Sequence, residues 1–205
     1  MFIRVKIGMT QNNIKIAITG GICSGKSTVA QIIREQGYKV YSCDEIYSGL
    51  LKEESFINLI DSEFGNIKNS DGTLNRDKLS QIVFNDSEKL NKLNSITHPK
   101  IMQRVMELMN GNGIFFCEVP LLFEGGYEQL FDNVIVVLRD KNERVKELMN
   151  RATLEEKQAL LRINSQIDYE NGNFIKYYVI HNYKYLSNLY QNTLSVLKKI
   201  VEDYN

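Results

Sequence analysis

Proline is scarce in this chain of 205 residues: Pro99 and Pro120 are the only two. So few leave no proline-rich linker. Each stands beside a titratable residue near the edge of a strand-like run, which predicts two shaped loops. Cysteine is nearly as rare. Cys23, Cys43 and Cys117 are odd in number and lack metal-type spacing, so neither a disulfide framework nor a thiolate metal site is expected. Three free thiols fit a reducing cytoplasm. Charge excess is missing altogether, with 25 basic and 25 acidic side chains. That balance disfavours nucleic acid as a partner. No apolar run approaches the ~20 residues of a membrane span, so no membrane partner is expected. The mildly basic Met1–Gly8 stretch lacks the apolar core and cleavage site of a signal peptide, and either Met1 or Met9 can be the natural start. Internal repeats and low-complexity segments are absent. A length of 205 residues suits one α/β domain with insertions.

What is present is concentrated in Gly20-Gly21-Ile22-Cys23-Ser24-Gly25-Lys26-Ser27, followed by Thr28. The run fits G-x-x-x-x-G-K-[ST], the phosphate-binding P-loop. Ile14–Thr19 reads as a short buried strand feeding it. Val29, Ala30, Ile32 and Ile33 recur behind it at helical spacing. Strand, glycine-rich loop and helix is the order phosphate binding requires, because loop amides and the positive helix end then act together on an anion. Lys26 can reach the β- and γ-phosphates, and the Ser27 hydroxyl can ligate Mg²⁺. The expected ligand is a nucleoside triphosphate with Mg²⁺.

Further strands are predicted at Tyr38–Ser42, after a helix stop at Gly37, and at Ile114–Val119, Val134–Leu138 and Tyr178–Ile180. Between the second and third strands, Glu45–Thr97 shows only helical patterning, with a turn at Asp71-Gly72. It reads as a helical insertion. Asn142–Gln166 is helical and charged. Leu186, Leu189, Tyr190, Leu194, Leu197, Ile200 and Val201 form one apolar stripe on a last helix. Strands alternating with helices predict an α/β fold with a doubly wound parallel sheet. Ligands then sit at the carboxyl ends of the strands, where the P-loop, Asp44 and Glu118 fall.

Asp44, just past the second strand, can accept a proton from an attacking hydroxyl, hold Mg²⁺ through water, or simply cap the following helix. Glu118 ends an apolar strand in the manner of a Walker-B acid that positions Mg²⁺, directly or through water; an ordinary strand-end acid looks the same. His98 can contact a substrate phosphate or ribose, or be a plain surface histidine. Arg144, Arg151 and Arg162 share one charged segment. They suit phosphate clamping by a mobile arm, or a solvated helix face. A GTPase is not indicated. The nearest match to its base-reading Asn-Lys-x-Asp is Asn91-Lys92-Leu93-Asn94, which lacks the acid, and no Asp-x-x-Gly occurs. A small-molecule kinase remains, with a core, a helical acceptor-binding insertion and an arginine-bearing lid.

At this point the chain resembles the dephospho-CoA kinase family. The resemblance runs through Ile18–Ile22 and the P-loop, Cys43-Asp44-Glu45-Ile46, Leu74–Leu79, Leu93–Pro99, Glu118–Glu124, Arg162–Gln166 and Tyr178–Asn182. It implies ATP-dependent phosphorylation of the ribose 3′-hydroxyl of dephospho-CoA. It implies a core of residues 1–45, 98–142 and 168–205, a CoA-binding insertion at 46–97 and a lid at 143–167. Asp44 matches the proposed general base, and Arg151 the arginine that approaches the phosphates. Gly20 to Thr28 with Arg144 would bind ATP, and Asp44, His98, Pro120 and Leu121 the acceptor. A monomer acting on small molecules in the cytoplasm is expected. Another small nucleotide or nucleoside acceptor, or a non-catalytic ATP-binding regulator, are the alternatives. Five positions depart from the family's usual residues. Cys23 replaces a P-loop Gly; a thiol there is oxidisable in principle, but burial or bound nucleotide would shield it, so no redox role is expected. Ser42 replaces an Asp, Ser48 an Arg, Glu118 an Asp and Tyr177 an Asp.

Overall fold

The computed structural model describes residues 12–84, 86–183 and 185–204. The two alternative starts, Met1 and Met9, lie outside them. The chain forms two compact units, one running up to Val40 and again from Met109, the other spanning Tyr41–Leu108.

The first unit holds β1 (Asn13–Gly20), the start of β2 (Lys39–Ser42), β3 (Gly113–Glu118), β4 (Asn133–Leu138) and β5 (Tyr178–His181). They form one sheet in the order β2-β3-β1-β4-β5. β1 pairs in parallel with β3 and β4, with Ile18 opposite both Glu118 and Ile135, and β4 pairs in parallel with β5. β1, β3 and β4 are continuous apolar runs because both faces of a parallel sheet are covered. The helices covering it include α1 (Lys26–Glu35) and α8 (Leu186–Tyr204), which pack on each other. Ile16, Ile18, Ile33, Phe116, Ile135, Ile180, Leu197 and Ile200 fill the core between sheet and helices. The α8 stripe starts later than its sequence pattern suggests. Leu186 is 67% exposed, so burial begins at Leu189. Gly37 ends α1 as expected, with a φ of 94° and its amide on the Arg34 carbonyl.

The charged segment is two helices, α6 (Lys141–Ala152) and α7 (Glu156–Asn164). Thr153, at a φ of 50°, turns the chain between them. Asp140 caps α6 through the Glu143 amide at 3.1 Å, and Glu155 with Gln158 forms a capping box on α7. The two helices bury Val145, Leu148, Ala159 and Ile163 against each other.

The second unit contains α2 (Cys43–Leu50), α3 (Glu54–Phe64), α4 (Arg76–Phe84) and α5 (Ser87–Leu108). The expected insertion at 46–97 falls inside it. Both α2 and α4 pack on α5, and Phe56, Ile60, Ile67 and Val105 are fully or nearly fully buried. The Asp71-Gly72 turn forms, closed by an antiparallel bridge between Lys68 and Leu74. The expected loop at Pro99 does not: Pro99 lies inside α5. A helical proline removes one backbone donor and leaves the carbonyl of residue i−4 without its partner. Pro99 and Ser95 are both exposed, so water can serve that carbonyl.

Candidate active site

Every carbonyl of the P-loop from Gly20 to Ser24 accepts a protein hydrogen bond. Lys26 Nζ donates to the Gly20 and Gly21 oxygens at 2.9 and 3.1 Å. The Ser24 amide also donates to Gly21 O, at 3.0 Å. Arg144 Nε donates to Ile22 O at 3.1 Å, and Arg139 to Cys23 O at 3.2 Å. Asn182 Nδ2 donates to Ser24 O at 2.8 Å. A carbonyl turned toward a phosphate would repel it, so engaging all five with protein donors suits the loop to an anion. Gly25, at a φ of 103°, opens α1 with no side-chain cap and no acid in the first turn. The positive end of that helix is therefore not neutralised by its own side chains.

Three glycines face close neighbours. A Cβ on Gly20 would strike the Val137 carbonyl, and one on Gly25 would meet Asn182 Nδ2 at 2.5 Å. A Cβ on Gly21 would meet the Arg144 guanidinium at 2.5 to 2.9 Å. Cys23 keeps a positive φ of 59° without being glycine. Its side chain packs, with that of Ile22, against the apolar cluster of α6 and α7, which gives the thiol position a packing role. Burial pushes the Cys23 thiol pKa up, partly offset by the Arg151 charge. A protonated thiol is a poor nucleophile, so the geometry does not favour easy oxidation.

The two residues expected at a metal are brought together. Ser27 Oγ, in the first turn of α1, donates to Glu118 Oε1, at the end of β3, at 2.8 Å. One hydroxyl and one carboxylate are hard oxygen donors. They fit Mg²⁺ held largely by substrate phosphates and water.

Arg144 is 3% exposed. Burial lowers its pKa, with the Glu170 carboxylate opposing. Its guanidinium grips the loop backbone. Arg151 is exposed in the last turn of α6, and Arg162 is exposed in the last turn of α7. Beside the loop, a cleft of about 350 Å³ is lined by Arg139, Glu143, Tyr169, His181, Asn182 and Tyr183. The His181 and Tyr183 rings stack at 5.7 Å.

Pro120 and Leu121 follow β3, and Leu121 is exposed at a φ of 54°. The rest of their block is structural. Leu122 is fully buried, Phe123 stacks on Phe174 and lies against Tyr177, and Glu124 accepts the Ile167 amide at 3.1 Å. Tyr177, one of the departures from the family pattern, is thus part of an aromatic group.

In the second unit, Asp44 lies in the first turn of α2 and is exposed. It does not cap the helix. That role falls to Ser42, whose hydroxyl accepts the Glu45 amide at 3.4 Å. His98 is half-buried on α5, and burial lowers its pKa. Sequence reasoning missed Arg139, Gln166 and Asn182. Gln166 and Asn182 stand in the resemblance blocks, but an amide that holds a loop carbonyl or N–H has no spacing signature.

The model of the dephospho-CoA kinase family matches residues 14–188. A dephospho-CoA kinase of Fusobacterium nucleatum is 39% identical over 158 residues, 76% of this chain and 82% of that one. One of Listeria monocytogenes is 36% identical over 196 residues, 92% of this chain and 98% of the other. The solved structure of a dephospho-CoA kinase from Campylobacter jejuni aligns with a TM-score of 0.69 at 32% identity, covering 92% of this chain and 98% of its own. With the phosphate loop, the hydroxyl–carboxylate pair and the arginine-bearing hairpin in place, the chain belongs to the dephospho-CoA kinase family.

Proposed function

We propose that the chain transfers the γ-phosphoryl group of ATP to the ribose 3′-hydroxyl of dephospho-CoA, giving CoA and ADP in the last step of CoA biosynthesis. The observation that carries the nucleotide half is the P-loop whose Gly21, Ile22, Cys23 and Ser24 carbonyls are held by groups other than Lys26, which leaves that lysine to turn to an anion. The acceptor half rests on family membership.

In this reading Gly20 to Thr28 cradle the triphosphate, and Lys26 moves from the loop carbonyls to the β- and γ-phosphates. The cleft beside His181 and Tyr183 takes the base, whose flat face suits the stacked rings. Ser27 and Glu118 would hold Mg²⁺, which would supply neutralisation of the phosphate charge. Asp44 takes the hydroxyl proton as the 3′-oxygen bonds to the γ-phosphorus and the bond to the β,γ-bridging oxygen breaks. Its exposed carboxylate, relieved of capping by Ser42, supports that role. Arg151 stabilises the charge on the transferred group, and His98, Pro120 and Leu121 contact the acceptor. Most of the catalysis is then positioning and charge stabilisation. Three free cysteines support a reducing, cytoplasmic setting.

The test is ADP release with Mg²⁺-ATP and a panel of acceptors. Dephospho-CoA should be turned over far faster than AMP or adenosine. Equal turnover across the panel would remove the specificity, and no turnover of any acceptor would favour a non-catalytic ATP binder.

A further inference from the structure

Ile22, at the tip of the phosphate loop, is gripped at both of its backbone polar groups. Its N–H donates to Gln166 Oε1 at 2.6 Å, and its carbonyl accepts from Arg144 Nε at 3.1 Å. The two partners come from opposite legs of one helical hairpin. Arg144 lies in the first turns of α6, and Gln166 lies two residues beyond the end of α7. Gly21 leaves the space the guanidinium fills. The Ile22 and Cys23 side chains add to the grip by packing on Val145, Leu148, Ala159 and Ile163 between the legs. Gln166 is itself fixed. Its amide reaches Ile163 O at 3.3 Å, and the next amide, of Ile167, is held by Glu124.

We propose that Gln166 is a positioning residue for the nucleotide site: by holding the Ile22 amide it ties the phosphate loop to the α6–α7 hairpin, so that displacing one strains the other. The proposal rests on the reading of this loop as the ATP site. A hairpin joined to the loop only by its connecting chain could swing as a free flap. This one is tied to residues 22 and 23. Arg139 and Asn182 hold the Cys23 and Ser24 carbonyls from outside the hairpin, so a displaced hairpin strains the loop, and a loop ordered by phosphates orders the hairpin. Gln166 touches no reacting atom in this scheme. It acts through the loop backbone.

Gln166→Met keeps the length of the side chain and removes the acceptor, leaving a loop amide without its partner. Calorimetric titration with ATP and Mg²⁺, in the absence of any acceptor, should show binding about tenfold or more weaker than wild type. In steady state, KM for ATP should rise while KM for dephospho-CoA stays within about twofold, a split that general loosening of the fold would not produce. The Ile22 amide, read by hydrogen exchange, should exchange much faster in Gln166→Met and stay protected in Gln166→Glu, which retains an acceptor oxygen. Wild-type affinity for ATP together with unchanged Ile22 exchange in Gln166→Met would overturn the proposal. If that variant does not fold, wild type decides alone: an Ile22 amide that exchanges as fast as an exposed loop amide overturns it. Failure of wild type to bind ATP would instead overturn the reading of the site, while the exchange comparison would still report on the grip.

Discussion

Replacing Gly21 with alanine should be costly although nothing about its backbone demands glycine. The new Cβ would lie 2.5 Å from one terminal nitrogen of Arg144, 2.6 Å from its Cζ and 2.9 Å from the other nitrogen. Real Cβ atoms do not approach that closely, so the guanidinium must shift, and its burial leaves it little room to do so without straining its bond to the loop. Arg144 is 3% exposed and its Nε bond to Ile22 O is 3.1 Å. A hydrogen bond to a charged group is worth about 1.5–3 kcal/mol, and a displaced buried charge adds to the loss. We expect Gly21→Ala to destabilise the protein by about 2–3 kcal/mol. For a chain of this size each kcal/mol lowers the melting temperature by about 2–4 °C, so the fall should be about 4–12 °C. The assay is thermal unfolding followed by circular dichroism, with Arg144→Met and the double variant alongside. Once Arg144 is methionine the clash eases, so the double variant should lose less than the sum of the singles. A Gly21→Ala loss below about 0.5 kcal/mol, the range of an ordinary surface substitution, would refute the buried clamp. Strict additivity would refute the contact.

Asp44→Asn should lower kcat by a factor on the order of 10² or more with ATP affinity kept, measured by ADP release and calorimetry; full activity would defeat the base assignment. Glu118→Gln weakens the carboxylate paired with Ser27 and should raise the half-saturating Mg²⁺ concentration by about tenfold or more in a metal titration of the rate, whereas an unchanged titration would show Glu118 to be an ordinary strand-end acid. Burial, with the Glu124 charge added, pushes the Tyr169 pKa up to about 12. A raised folded-state pKa stabilises the fold below the ordinary tyrosine pKa near 10, and that stability is lost as pH rises through about 12. Urea unfolding between pH 9 and 12 should therefore fall more steeply for wild type than for Tyr169→Phe, and parallel curves would contradict it.

The sheet was readable in the sequence because a parallel strand buried on both faces must be a short apolar run. Ile14–Thr19, Ile114–Val119 and Val134–Leu138 all fall on strands observed within a residue or two of those bounds. The P-loop was readable because its glycines answer to local needs: Gly20 and Gly25 lie at positive φ and face neighbours that would strike a Cβ. Pro99 misled because local propensity makes proline a helix breaker, while the packing of α5 against α2 and α4 carries the helix through it. Leu186 misled because periodicity marks a face and does not say where its cover ends. Ser42 read as the loss of a family carboxylate, and the structure gives it the cap of α2. The grip on the loop was not legible. Gln166 lies 144 positions from Ile22 and Asn182 lies 158 from Ser24, and contacts so distant leave no trace in a single sequence. The same holds for Cys23, whose replacement of glycine gained an explanation only from the hairpin cluster beside it.

The most direct test of the central claim is the identity of the phosphorylated product. Wild-type protein, Mg²⁺-ATP and dephospho-CoA should give one new phosphomonoester, assigned by phosphorus and proton NMR to the ribose 3′ position, in equal amount to the ADP formed. Phosphate at another position, or ADP formed with no modified acceptor, would contradict the account.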